Sequence, residues 1–318
     1  MDAFRALLAC PACAGELSAD WSCRGCGAHF QAPGGIPNLR LPGDGRTETV
    51  RRFYESAPFP GYSPRDSLSA LHARAGRSAF ARLIDEAIPG DARIAEIGCG
   101  TGQMCLYLAR ADRVVVGADL TRASLQLAVD AARRFGLDQV QFVETDVRRP
   151  GLRAAAFDVV YSSGVLHHTP DPRAAFARLA TLVRPGGTIV LGLYNAFARV
   201  PLRLRRVVAR WSGFRLIPFD PVLRDRSHEP ARRAAWLRDQ YQHPEEHRHT
   251  LGEVQRWFAE NRVEYLRAYP HAMLANEPAD LFARAADNWT PEGWLAQLGW
   301  MRALGHEGGL FFTIGRRM

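Results

Sequence analysis

Residues 93–102 read R-I-A-E-I-G-C-G-T-G, and the reading of this stretch, Arg93 to Gly102, decides the fold. The apolar run ending at Ile97 predicts a strand, Gly98, Gly100 and Gly102 a sharp turn, and Gln103–Arg110 an amphipathic helix. A glycine turn between strand and helix lets the backbone approach a ligand at the helix N-terminus, which a Cβ would prevent. Two ligand classes compete for such a turn. A dinucleotide fingerprint wants its third glycine one place later, where Gln103 stands, and seats a pyrophosphate beside the helix. Glu96 would repel that anion, whereas a carboxylate suits a ligand that carries positive charge.

Downstream, Val114–Ala118, Gln141–Glu144, Asp158–Ser162 and Thr188–Leu193 are β-like, with helical stretches between most of them, notably Arg122–Phe135 and Arg173–Val183. Short apolar strands alternating with amphipathic helices predict a parallel, doubly wound α/β sheet, whose ligands sit beyond the carboxyl ends of the strands. Two carboxylates stand at such ends. Asp119 can accept from both hydroxyls of a ribose, and Asp146 from an adenine amino group while the Val147 amide donates to a ring nitrogen. Turn or helix-capping roles are the alternative for each aspartate.

These residues carry a resemblance. Glu-x-Gly-x-Gly-x-Gly at 96–102, Asp119, Asp146, the stretch Phe157–His168 and R-P-G-G-T at 184–188 stand in the order seen in class I S-adenosylmethionine-dependent methyltransferases. The resemblance implies a Rossmann-like, seven-stranded sheet in the order 3-2-1-4-5-7-6, with Val263–Ala268 and Leu310–Gly315 as the last two strands. It implies S-adenosylmethionine as cofactor, held by Glu96, Gly98, Gly100, Gly102, Asp119, Asp146, Val147 and Ser163. The sulfonium activates the methyl group itself, so the protein's task is in-line alignment of an acceptor. His167 or His168 is the candidate base, since imidazole titrates in the working range. Tyr54, Tyr194 and Asn195 are candidates for orienting the acceptor.

Cys10, Cys13, Cys23 and Cys26 form two C-x-x-C knuckles, which together complete a tetrahedral S₄ set suited to structural zinc. A disulfide framework is the alternative. The segment from Leu7 to Leu39 resembles the zinc ribbon of Trm112-like proteins and that at the front of some ribosomal RNA methyltransferases, in which a histidine often serves as ligand; here His29 is spare. A closed S₄ site implies a structural role and possible protein docking. The predicted layout is a zinc ribbon over 1–40, a linker and cap over 41–89, and a methyltransferase domain over 90–318 with substrate insertions at about 196–250 and 270–308. Residues 66–88 predict one helix, and the aromatic, proline-rich run Phe53–Tyr62 predicts an irregular segment capping the cleft.

The net charge is +8 at a pI near 9.6, and every basic residue is arginine. No run approaches the roughly 18 apolar residues of a membrane span, and nine residues before Cys10 are too few for a lipoprotein signal. With cysteines at metal spacing rather than in disulfides, a cytoplasmic protein is expected. Between residues 196 and 240, eleven arginines stand against four acids. Pro201 can open a helix with Leu204, Val207, Val208 and Trp211 on one face and Arg203, Arg205, Arg206 and Arg210 on the other. The expectation is a lid helix whose basic side is solvated; an RNA rim and a lipid-facing surface are the alternatives. His228, His243, His247 and His249 lack a recognised metal pattern. Trp289, Trp294 and Trp300 are expected to roof an apolar pocket. The predicted activity is methyl transfer to a small-molecule or lipid-like acceptor. The alternatives are methylation of rRNA or tRNA, and a non-catalytic scaffold of the same fold.

Overall fold

In a computed structural model the described residues are 2–56, 58, 61–62, 66–110, 112–224, 230–243, 245–270, 278–285, 297–300 and 309–318. The glycine turn falls where the sequence puts it. Strand β1 (Arg93–Ile97) feeds helix α5 (Gln103–Leu108), after the short α1 (Asp2–Arg5), α2 (Gly45–Glu55), α3 (Leu68–Ala75) and α4 (Ala79–Ala87). There follow β2 (Val114–Asp119), α6 (Arg122–Phe135), β3 (Val140–Glu144), β4 (Phe157–Ser163), α7 (Pro172–Leu182) and β5 (Val183–Tyr194). The insertion carries α8 (Val200–Trp211), α9 (Pro221–Arg224) and α10 (Pro230–Gln242), and α11 (Leu251–Glu260), β6 (Val263–Tyr269) and β7 (Leu310–Arg317) close the fold.

The seven strands lie in the order β3-β2-β1-β4-β5-β7-β6, as expected. β1 to β5 run parallel, and β7 is antiparallel to both β5 and β6. Alternate strand residues serve the two faces. Ala95, Ile97, Val160 and Leu191 pack with Phe176 and Leu179 of α7 and Phe258 of α11. On the other face Ile94, Val115, Val159 and Val190 pack with Ile84 of α4, Cys105 of α5 and Leu125 of α6. Burial on both faces is what makes these strands read as continuous apolar runs.

Two local expectations change. The helix expected over 66–88 breaks at Gly76–Ser78, where the Ser78 side chain accepts from the Ala81 amide and starts α4. α2 extends through Phe53, Tyr54 and Glu55, so the irregular segment is shorter than expected; Pro58 lies beyond the helix end. The N-terminal residues are built into the sheet's surroundings. Leu8, Leu17, Phe30 and Leu39 share the core of α7 and α11. The Ala9 amide donates to the Gly151 carbonyl, and residues 37–39 run parallel beside the end of β3: Glu144 N–H donates to Pro37, and Leu39 N–H to Glu144, at 2.9 and 2.8 Å.

Candidate functional site

The turn after β1 is shaped by close packing. Gly98 has φ +74°, and a Cβ there would lie 2.1 Å from the Val165 side chain. Gly100, at φ +53°, points its N–H at Asp119, 2.8 Å away. The second Asp119 oxygen accepts from the amide and hydroxyl of Thr121 at 2.8 and 2.7 Å, so this carboxylate ties the β1 turn to the β2 turn. Burial pushes the Asp119 carboxyl up, with those hydrogen bonds opposing it. Glu96 is buried beneath the turn and accepts a hydrogen bond from the Cys105 thiol at 2.8 Å. Burial pushes Glu96 up to about 8, against the pull of Cys105 and with the nearby Asp119 charge adding to it. Two carboxyl groups thus face one hollow, and neither is ion-paired among the described residues: Arg148, the arginine in the lining, is bonded to Asp146.

That hollow is a cavity of about 470 Å³ at the carboxyl ends of the strands. Glu96, Gly98, Gly100, Asp119, Asp146, Val147 and Ser163 all line it. Gly102 does not: it opens α5 with φ +76°, and a Cβ would sit 2.9 Å from Ala128 and Phe142, so its role is packing. Asp146 is also held by Arg148, whose guanidinium lies 2.6 Å away and whose amide donates to it at 2.9 Å. Sequence reasoning named Tyr54 and a capping segment but missed Thr47, Val50 and Glu55. Thr47, Val50 and Tyr54 of α2 line the cavity, and the Glu55 carboxylate caps α6 by accepting from Arg122 and Ala123 amides, both at 3.1 Å. Tyr62 donates to the Thr101 carbonyl at 2.7 Å, closing the glycine turn from the far side. No spacing rule links Glu55 to a helix that begins 67 residues later.

Tyr54, His168 and Tyr194 also line the cavity, with ring centres 6.5 Å apart between Tyr54 and His168 and 5.8 Å between His168 and Tyr194. His168 Nδ1 lies 2.7 Å from the Glu245 carbonyl, so Nδ1 carries the proton and Nε2 is left as an acceptor. Burial pulls His168 down to about 4, with the Glu245 contact opposing. The ring is therefore neutral throughout the working range. Tyr194 is clamped: its ring stacks on His167 at 3.9 Å, the Arg199 guanidinium lies 3.7 Å over it, and its hydroxyl accepts from Gln240 Nε2 at 3.0 Å. Two expected residues do not reach the cavity. His167 is fully buried behind Tyr194, its Nδ1 accepting from the Tyr194 amide at 3.4 Å, and burial holds its pKa far below the ordinary value. Asn195 spends its carbonyl oxygen on the Phe197 and Ala198 amides, both at 3.0 Å, and its amide on Gln297, so it shapes the entry to α8. Trp300 packs 5.5 Å from Phe311 in the sheet's core, away from the cavity; Trp289 and Trp294 lie outside the described residues.

Residues 95–191 match a family model described as a methyltransferase domain. The strand order and the acidic strand ends agree with that match. Residues 95–191 are a methyltransferase domain of the class I type. The chain is 26% identical over 250 residues to an uncharacterised Synechococcus protein, covering 70% of this chain and 60% of that one. It is 33% identical over 108 residues to the ubiquinone biosynthesis O-methyltransferase of Paracidovorax citrulli, covering 34% of this chain and 45% of that one. The matches thus span about half to three-fifths of these relatives. Among solved structures, geranyl diphosphate C-methyltransferase from Streptomyces coelicolor shares the fold at TM-score 0.51 and 14% identity, covering 87% of this chain and 100% of that one.

Ahead of the methyltransferase domain, the four cysteine sulfurs of Cys10, Cys13, Cys23 and Cys26 lie within 4.8 Å of one another. Glycines make room for them: a Cβ at Gly15 would come within 3.0 Å of the Cys23 sulfur and 3.2 Å of that of Cys13. Backbone N–H groups of Cys26 and Gly25 draw the Cys23 thiol down to about 6, while Cys10, by burial, and Cys13 are pushed up, so one thiolate is favoured within the set. The set fits one tetrahedral thiophilic ion. His29 hydrogen-bonds Ser22 instead. No other group of three candidate ligands occurs among the described residues, so His243, His247 and His249 do not assemble a second centre; His228 lies outside the described residues. Leu7, Leu8 and Cys10 are buried, and no described helix is long and apolar enough to cross a membrane.

Proposed function

We propose that this chain is an S-adenosylmethionine-dependent methyltransferase acting on a small-molecule or lipid-like acceptor. The observation that carries the reading is that one cavity is lined by both acidic strand ends and an aromatic cluster. Glu96, Asp119 and Asp146 line it together with the neighbouring rings of Tyr54, His168 and Tyr194. On this reading Glu96 faces the positive charge of the donor, Asp119 the sugar and Asp146 with Val147 the base, while Gly98 and Gly100 leave room for the chain between them. The bound cofactor supplies an activated methyl group. The protein's residues supply alignment: the clamped Tyr194 ring presents a fixed wall, so the acceptor loses its orientational freedom on binding rather than in the reaction.

His168 is the group positioned to take a proton at Nε2, with Glu245 fixing the tautomer. A base of such low proton affinity suits an acceptor whose proton leaves as the new bond forms. Four thiolates would hold a structural zinc at the N-terminus. The aromatic side chains in the lining support a small or lipid-like acceptor over RNA. The test is calorimetry with S-adenosylmethionine, followed by labelled-methyl transfer into the organic-soluble fraction of a cell extract with and without ribonuclease. Label in the organic phase, unchanged by ribonuclease, is expected. Label lost with ribonuclease would move the acceptor to RNA, and failure to bind the cofactor would leave only a scaffold.

A further inference from the structure

The insertion helix α8 does not divide into an inner apolar and an outer basic arc as expected: Arg203 and Arg210 are exposed, but so is most of the apolar arc. Its inward side carries Leu202, Ala209, Arg199 and Arg206. The two arginines share the buried Glu246 carboxylate, and Arg199 also bonds Gln240. The apolar stripe Leu204, Val207 and Trp211 faces out instead, and Leu216 and Phe219 continue it past the helix end. Trp211 is 94% exposed and Phe219 80%. An exposed patch of this kind marks an interaction surface in a water-soluble fold.

Charge names the partner. Residues 196–219 contain six arginines and no acid. Arg203, Arg210 and Arg215 are exposed beside the stripe and pair with no carboxylate among the described residues. A helix with Trp, Leu and Val on one arc, a terminal Phe and flanking cations is built to lie in the plane of an anionic bilayer. A nucleic acid would use the cations and leave the aliphatic stripe in water. The helix also follows directly from the cavity lining: Tyr194 precedes α8 by six residues and is held by Arg199 at its entry.

We infer that α8 and the Leu216–Phe219 segment dock this protein on an anionic lipid surface, presenting the mouth of the cavity to molecules dissolved in the bilayer. This rests on the proposed lipid-like acceptor for its purpose, though the binding itself stands apart from catalysis. Cosedimentation with phosphatidylcholine vesicles, with and without phosphatidylglycerol, tests it. The full chain is expected to sediment with the anionic vesicles, and less so as salt rises. Trp211→Ser with Phe219→Ser should weaken partition at least about tenfold, and each of Arg203→Gln, Arg210→Gln and Arg215→Gln about fivefold. All these side chains are exposed, so S-adenosylmethionine binding by the same samples should be unchanged. Absence of vesicle binding, or binding that ignores the Trp211/Phe219 pair, overturns the inference. So does self-association abolished by that pair without vesicle binding, or arginine-dependent binding of an RNA oligonucleotide in place of vesicles. Loss of cofactor binding in the unaltered protein would refute the methyltransferase reading and leave the docking result standing.

Discussion

With Glu96 facing the donor as proposed, its protonation should tie cofactor affinity to pH. The carboxyl sits near 8 because burial strips its charge of water, and the Cys105 thiol offsets this only in part. If a positively charged donor binds the carboxylate form, the proton must leave on binding. At pH 7 about nine-tenths of the protein starts protonated, and deprotonation costs about 1.4 kcal/mol for each unit between the pH and the pKa. Affinity should therefore rise about ninefold from pH 6 to pH 7, with close to one proton released per cofactor bound. The ligand's own ammonium stays charged in that window, so the slope belongs to the protein. Calorimetry in buffers of different ionisation enthalpy measures the proton directly. Glu96→Gln should bind more weakly and lose that slope. Cofactor binding with no proton release and a flat profile between pH 6 and 7 would refute the assignment of Glu96 to the positive end of the ligand. The same group makes folding pH-dependent. Its raised pKa means the neutral form is favoured in the fold, so its contribution is full below about 4.5 and declines as pH rises through about 8.

Other outcomes follow from the same contacts. His168→Gln should lower turnover about 10²-fold or more with cofactor affinity unchanged, whereas His167→Phe, away from the cavity, should act through stability; equal losses of turnover would return His167 to the site. Arg199→Leu leaves Glu246 half-compensated in the interior and should cost about 3 kcal/mol in denaturant unfolding, part of which Glu246→Gln should restore. Native mass spectrometry should find one zinc per chain, and chelation or Cys13→Ser should lower Tm by about 5 °C or more. Glu55→Ala removes the acceptor for two α6 amides and should cost about 1 kcal/mol.

What could be read from sequence was whatever local spacing dictates. Glu96, the glycines after it, Asp119 and Asp146 are placed by strand ends, so their convergence follows once the sheet order is known. The cysteine knuckles are legible for the same reason. Residues whose roles depend on a distant partner were not. A helical wheel divides α8 into two arcs but cannot say which residues face in; the answer lies in Glu246, forty residues beyond Arg206, whose buried carboxylate draws two arginines inward and leaves most of the apolar arc outside. Adjacent histidines look equivalent in the chain, yet a carbonyl from Glu245 fixes one at the cavity while the Tyr194 ring covers the other. Asn195 looked like a substrate contact because it follows Tyr194; it is consumed by the turn into α8.

The short pairing of residues 37–39 with the end of β3 bears on how the molecule can be divided. Cutting the chain at residue 41 would strip Glu144 of both main-chain partners at the sheet's edge and of Arg40, leaving Arg122 as its sole remaining counter-ion among the described residues. Glu144 stands two positions before Asp146, so the damage would reach the floor of the cleft. A shortened version lacking the cysteine lobe is thus a poor surrogate for the full chain: the segment that follows the cysteines also finishes the edge of the sheet beside Asp146.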